Sequence, residues 1–328
     1  MAEKLFRAAL REALLEEMDE NENIFLIGED IGKFGGAYRI TEGLLEKFGE
    51  MRVVDAPIAE EVIVGAAVGA AMTGLRPVVE MMTINFSLLA YDQIVQSAAK
   101  IRYMFGGKVS VPMVVRLPGG AGHQLSSQHS HSFEVLYSFI PGLLTVAPTT
   151  PEDAKGLLKS AMRTDNPVMF LESMSLYNMK GEVPEGDYTT PLGKAAVRRE
   201  GSDVTIVGVS RQSVLAGVAA QRLEEEDVDA EVIDLRSLRP IDWPAIAKSV
   251  QKTNRLLIVE EGWPTYGVGA EIAAGIQDRA FDYLDAPIAR IGGAEVPMPY
   301  NQMLEKASIP SADDIVKRTL KLVGKNGG

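Results

Sequence analysis

Residues 53–82 read VVDAPIAEEVIVGAAVGAAMTGLRPVVEMM, and the order of their patterns decides the fold class. Val53 and Val54 form a short β-branched run. Asp55 can then cap a helix, Pro57 suits its first turn, and Glu60 and Glu61 complement the positive end of its dipole. The helix is expected to run from Pro57 to Met72, and PVVEMM at 77–82 reads as the next strand. Strand, helix and strand in succession are the signature of parallel α/β architecture. Gly65 and Gly69 lie four apart among Ala66, Ala67, Ala70 and Ala71. Such a small-residue face lowers helix propensity but lets another element or subunit approach closely. Helix-end placement accounts fully for the two acids, so by themselves they point to no chemistry.

Working outward, the same alternation continues in both directions. Upstream come an opening amphipathic helix (Glu3 to Met18), a buried strand (Ile24 to Ile27), the glycine-rich turn GEDIGKFGGAY at 28–38 and a helix from Thr41. Downstream, MMTINFSLLAYDQIVQSAAK at 81–100 delivers Asn85 and Phe86 from a strand end, and a long helix is expected from Leu88 to Met104. Strand VPMVVRL (111–117) opens into the loop PGGAGHQLSSQHSHSF (118–133). LLTVAP, a helix from Pro151 and PVMFLE complete this half. Residues 178–193, NMKGEVPEGDYTTPLG, carry glycine, proline and charge without an apolar period and read as a linker. The alternation then restarts with DVTIVGV, AEVIDL, RLLIVEE and PIARIGG, separated by helical stretches. A chain of 328 residues exceeds one ordinary core, so two α/β domains are expected, 1–185 and 186–328.

Composition narrows the function classes. The net charge of −12 argues against a nucleic-acid footprint, which needs a basic face. No apolar run approaches the ~18 residues of a membrane span, so no membrane partner is expected. The chain has no cysteine, which excludes disulfides, thiolate metal sites and a cysteine nucleophile. A bacterial-type cytoplasmic location is expected, with a processed organellar form as the alternative.

All the histidines of the chain, His123, His129 and His131, fall in one loop after a strand. Histidine titrates near neutral pH, and loops at strand carboxyl ends are where open α/β sheets place ligands. The cluster therefore suggests proton chemistry. Metal ligation and merely solvated histidines are the other readings, and no carboxylate triad accompanies the former. GVGAEI at 267–272 and the 28–38 turn could hold an anion at a helix start, but neither is a full dinucleotide fingerprint. A GxSxG elbow and a Walker loop are absent.

Several stretches in fixed order carry a resemblance: GEDIGKFGGAYRITEGL, RVVDAPIAEE, VGAAMTGLRPVVEMMTINFS, SSQHSHSF, DNPVMFLE, VIDLRSLRPID, GWPTYGVGAEI and GGAEVPMPY. From about residue 3 to 323 the chain resembles the beta subunit of the decarboxylating component of pyruvate and related 2-oxo acid dehydrogenase complexes. The resemblance implies two doubly wound α/β domains, a pyrimidine-binding thiamine-diphosphate fold and a transketolase C-terminal-like domain. It implies thiamine diphosphate, with its diphosphate and Mg2+ held by an alpha subunit through a GDG motif. No GDG triplet occurs here, so the chain is expected to supply only half of each site.

By the same resemblance, Glu60 is the catalytic and cofactor-binding glutamate that meets the pyrimidine nitrogen. His129 is the active-site histidine near the reacting carbonyl, placed to handle a proton during transfer to a lipoyl group. Phe86 matches the aromatic packed on the pyrimidine, with Met82 carried alongside as cofactor-binding. Met113, Ala161, Met162, Thr164 and Asn166 match positions around a monovalent cation, K+, with Thr164 standing where an acid is common. His123 and His131 stay loop residues.

MMTINFS and SSQHS, with Gln128 before the histidine, resemble the pyruvate type more than the branched-chain type. Branched-chain, broad 2-oxo acid and acetoin enzymes remain alternatives, as does a non-catalytic scaffold. The partners implied are the alpha subunit in an alpha2beta2 heterotetramer, a lipoyl acyltransferase core and a small 2-oxo acid.

Overall fold

Short β-branched runs that are apolar on both faces require cover on both sides, and a parallel sheet flanked by helices supplies it. The computed structural model describes residues 1–325 and shows this arrangement twice. One unit comprises residues 1–119 and 136–192. The other comprises residues 120–135 and the chain from Gly193 onward.

The first unit carries β1 (Ala2–Leu5), α1 (Phe6–Glu20), β2 (Ile24–Gly28), α2 (Leu44–Phe48), β3 (Val53–Asp55), α3 (Glu60–Met72) and β4 (Arg76–Glu80). There follow α4 (Ile101–Met104), β5 (Val114–Gly119), α5 (Glu134–Ser138, whose first two residues belong to the second unit), β6 (Leu144–Val146), α6 (Pro151–Arg163), β7 (Val168–Ser173) and β8 (Lys180–Val183). Within this unit the strands pair in the order β6-β7-β5-β4-β2-β3, all parallel. The chain steps from β2 outward to β3 and then back across β2 to β4. The loops leaving β2 and β4 therefore diverge, which makes their carboxyl ends a topological switch point. Gly28, Asp55 and Glu80 stand in one register row at that edge.

Several local expectations yield to long-range contacts. The opening helix begins at Phe6 rather than Glu3, because residues 2–5 pair antiparallel with β8. That pairing also places part of the stretch read as a linker in a strand. Asp55 does not cap α3. The cap position is Ala59, without a side-chain cap, and Asp55 instead accepts a 2.6 Å hydrogen bond from the Gly32 N–H. A Cβ at Gly32 would lie 2.4 Å from the other Asp55 oxygen, so glycine is required there. The continuous helix expected over 88–104 is broken into a 3-10 turn (Phe86–Ala90), a π turn (Gln93–Ala98) and α4. Beside the π turn, the backbone at Gly142 comes so near the Ala99 carbonyl that a Cβ would lie 2.1 Å away.

The second unit is built from β9 (Ala196–Arg199), β10 (Val204–Gly208), α7 (Arg211–Glu224), β11 (Ala230–Asp234), β12 (Ser237–Arg239), α8 (Trp243–Thr253) and β13 (Leu256–Val259). It closes with α9 (Val268–Ala280), β14 (Ala289–Ile291), α10 (Gln302–Ala307) and α11 (Ala312–Leu322). The sheet order is β14-β13-β10-β11-β9, parallel except for the β9 edge. Val204, Ile206, Val232, Leu257 and Val259 are buried against Ala216, Ala219 and Ile315 from the flanking helices. Each such large side chain contributes about 1.5–3 kcal/mol on burial.

Candidate functional site

The first cluster stands at the switch point of the first unit. Glu60 opens α3 directly after β3, and only 6% of its surface is exposed. Among the described residues nothing donates a hydrogen bond to its carboxylate. Its charge is felt by Glu29, on the loop leaving β2. Burial, then the charges of Glu60 and Asp30, hold the Glu29 carboxyl above the usual carboxylate range.

Met82 and Phe86 follow β4, both half-buried. Their turn is tied down by the Ile84 N–H on the Pro118 carbonyl (2.6 Å) and the Phe86 N–H on the Thr83 carbonyl (3.1 Å). α3 packs on the Phe86–Ala90 turn, which brings the element begun by Glu60 against the element begun by Phe86. The Thr83 hydroxyl in the same turn is buried without a hydrogen-bond partner. A near-buried carboxylate and a buried hydroxyl, both lacking partners, fit a ligand that carries N–H groups, as an aminopyrimidine does.

Beneath this edge lies an ion group that local sequence does not announce. Arg116 on β5 is 1% exposed and forks onto Glu172 of β7 at 2.7 and 2.9 Å, while a further nitrogen reaches Glu80 of β4. Tyr177 donates to Glu172 at 2.7 Å. Burial raises the Glu80 carboxyl pKa, with Arg116 opposing and Glu172 adding to the rise. The group holds three parallel strands in register directly below the loops that carry the site.

The second cluster is the histidine loop, which belongs to the second unit. His123 is exposed and His129 half-buried. His131 is stacked on Phe133 with ring centroids 4.2 Å apart and meets Trp263 edge-on at 5.9 Å. Burial lowers the His131 pKa, which favours the neutral ring and suits a packing role. A small cavity lined by Ser130, His131, Phe133, Glu261, Trp263 and Met298 adjoins it. Glu134 and Glu260 sit in the same neighbourhood. Burial first, then repulsion from Glu261 and Glu260, pushes the Glu134 carboxyl up to about 8. Burial pushes Glu260 up to about 7, opposed by N–H groups at the start of α9 and by Arg290.

The positions expected around a monovalent cation meet where α6 turns into β7. The Met113 carbonyl accepts from the Val168 N–H at 2.9 Å. The Met162 carbonyl accepts from Arg76 Nε at 2.9 Å, the Thr164 carbonyl from another nitrogen of the same guanidinium, and Asp165 from Nη1 at 3.0 Å. Ala161 is buried in α6, and Asn166 donates to the Thr164 hydroxyl at 3.3 Å. These oxygens suit a large cation in kind, but Arg76 already places a positive charge on two of them. Among the described residues no group of three or more His, Asp or Glu is arranged to hold a metal.

Residues 3–180 match the family model for the transketolase pyrimidine-binding domain, and residues 193–315 match that for the transketolase C-terminal domain. The chain is 50% identical over 317 residues to the pyruvate dehydrogenase E1 component subunit beta of Rhizobium meliloti, covering 96% of this chain and 69% of that one. It is 50% identical over 316 residues to the Rickettsia felis subunit of the same name, covering 96% and 97%. The chain belongs to the transketolase-like family of pyruvate dehydrogenase E1 beta subunits. A mitochondrial beta subunit from Oryza sativa is 49% identical over 319 residues, covering 96% of this chain and 85% of that one. A solved split-gene transketolase, described as an inactive beta4 tetramer, shares the fold of these beta subunits. Its TM-score is 0.81 at 23% identity, over 98% of this chain and 99% of that one. Domains of this kind are those of thiamine-diphosphate enzymes. No described helix of this beta-subunit chain is long and apolar enough to cross a membrane.

Proposed function

We propose that the chain is the beta subunit of a pyruvate dehydrogenase, acting with an alpha subunit in an alpha2beta2 assembly that passes acetyl groups to a lipoyl acyltransferase core. The observation that carries this reading is the Glu60 carboxylate, nearly buried at the switch point and without a donor, in a chain half identical to named pyruvate dehydrogenase beta subunits. Thiamine diphosphate, when bound, supplies the electron sink for loss of carbon dioxide from a 2-oxo acid.

Glu60 would accept the hydrogen bond of the pyrimidine nitrogen and hold the proton exchanged there. Phe86 and Met82 would wall the ring and keep water from it. Glu29, whose proton is retained more readily because of its burial and then because Glu60 lies near, would limit the negative charge on that wall. His129 would orient the substrate carbonyl and handle a proton during transfer to the lipoyl group. Mg2+ and the diphosphate would be held by the alpha subunit. A K+ ion at the turn from α6 to β7 would share oxygens with Arg76 and serve structure, not chemistry.

The test is 2-oxo-acid-dependent reduction of an artificial electron acceptor with thiamine diphosphate and Mg2+, for this chain alone and coexpressed with its cognate alpha subunit. Activity only in the complex, with pyruvate preferred over 3-methyl-2-oxobutanoate, is expected. Activity of the chain alone would overturn the half-site reading, and a silent complex would favour a scaffold.

A further inference from the structure

The histidine loop is held by carboxylates that take no other evident part in the site. Glu261, just past β13, accepts the Ala121 N–H at 2.7 Å and the Ser132 hydroxyl at 3.1 Å on one oxygen, with Arg211 at 3.4 Å from the other. Glu305 on α10 is 1% exposed and accepts the N–H groups of Gly122 and Gln124 at 3.0 and 3.1 Å. The Gly120 N–H closes the neck of the loop on the His131 carbonyl at 3.0 Å.

The loop needs such restraint. Gln124 and Ser126 adopt φ of 56° and 68°, and Gly122 a φ of 114°, conformations that side-chain-bearing residues hold only when their surroundings impose them. Consecutive amides in such a turn converge on a point that favours an anion. Here Glu305 fills that point from within the fold. Bonds from amides to an ionised carboxylate are among the stronger hydrogen bonds available to a protein. His129 lies between the amides held by Glu305 and Glu261 on one side and the Ser132 and His131 anchors on the other.

We propose that Glu305 and Glu261 are positioning residues for His129, fixing the loop so that its ring meets the acyl group and the lipoyl acceptor in one orientation. The inference rests on the role given to His129 above. The role is distinct from folding, because the carboxylates bind the two flanks of a loop and not the sheet. A misplacement of about 1 Å can cost ~100-fold in rate, so loosening this loop should be felt in transfer before it is felt in binding.

The experiment compares the reconstituted alpha–beta complex of the parent chain with those carrying Glu305→Gln, Glu305→Asp and Glu261→Gln. Amide hydrogen exchange over residues 120–132 should quicken ~10- to 100-fold in Glu305→Gln, as expected when charged acceptors are lost. Transfer to a lipoylated domain should fall ~10- to 100-fold, with a several-fold smaller fall in reduction of an artificial acceptor, because His129 also orients the substrate carbonyl. Glu305→Asp, which keeps the charge, should recover part of the transfer rate. Should Glu305→Gln fail to fold, Glu261→Gln carries the same comparison from the other anchor. Unchanged loop exchange in the folded variants would overturn the clamp, and a loosened loop with normal transfer would overturn the positioning role. If His129→Ala itself leaves lipoyl transfer unchanged, the role of His129 fails, and the inference falls through it even with the exchange result standing.

Discussion

Glu60 in the first unit and Glu305 in the second are both carboxylates with almost no exposed surface, 6% and 1%, yet they are treated in opposite ways. Glu305 is met by backbone N–H groups of Gly122 and Gln124, and its charge is spent inside the fold. Glu60 is met by no donor among the described residues, and the neighbouring acid Glu29 has its pKa raised by burial first and then by the charge of Glu60. A carboxylate so little exposed and without a donor in the fold leaves its oxygens open to a donor that a ligand would bring. Burial alone therefore does not distinguish Glu60 from Glu305; the missing donor does. Arg116 with Glu80 and Glu172 gives the same lesson from inside the first unit, since these charges are deeply buried but mutually satisfied.

The contrast breaks most sharply if Glu60 behaves like a structural acid. Glu60→Gln is expected to cut activity of the reconstituted complex ~100- to 10,000-fold. Its urea midpoint should be unchanged or higher, since repulsion with Glu29 is relieved. A variant with normal turnover, or one that is active but unstable, would place Glu60 with Glu305. Next in size, Arg116→Leu leaves Glu80 and Glu172 buried without their cation and should cost about 3–5 kcal/mol in chemical denaturation. A loss below ~1 kcal/mol would mean that water or protonation satisfies those acids as readily as the guanidinium does.

The narrowest effect, confined to a pH window, concerns Glu134. Its folded carboxyl is raised to about 8, above its unfolded value, so its contribution to stability is full at low pH and is lost as pH rises towards 8. Between about pH 5 and 8 the unfolded chain has released a proton that the folded chain still holds. Glu134→Gln should therefore flatten the fall of the urea midpoint over that window, by at most ~1.4 kcal/mol per pH unit. An identical pH slope in the variant would show that Glu134, only half-buried, is reached by water and ionises normally.

Much of this molecule could be read along the chain. Hydrophobic period and turn chemistry, which act over a few residues, were enough for the alternation of strands and helices, the parallel class and the existence of two α/β units. Residue patterns of a known family marked Glu60, Phe86 and His129. Reading failed where partners are remote. Residues 2–5 look helical until β8 offers a strand edge, Asp55 looks like a cap until Gly32 claims it, and 88–104 looks like one helix until Gly142 presses on Ala99.

The sequence by itself thus determined the class of the fold, its two α/β halves and the residues worth watching, because these depend on local pattern. Only the tertiary structure decided that the histidine loop packs with the second unit, and that Glu261 and Glu305 bind it from 140 and 183 residues away along the chain. It also decided that Glu60 is left without a donor while Glu305 is met by the N–H groups of Gly122 and Gln124. A hydrogen bond joins groups that folding brings together, and nothing in the residues beside either partner records that they will meet.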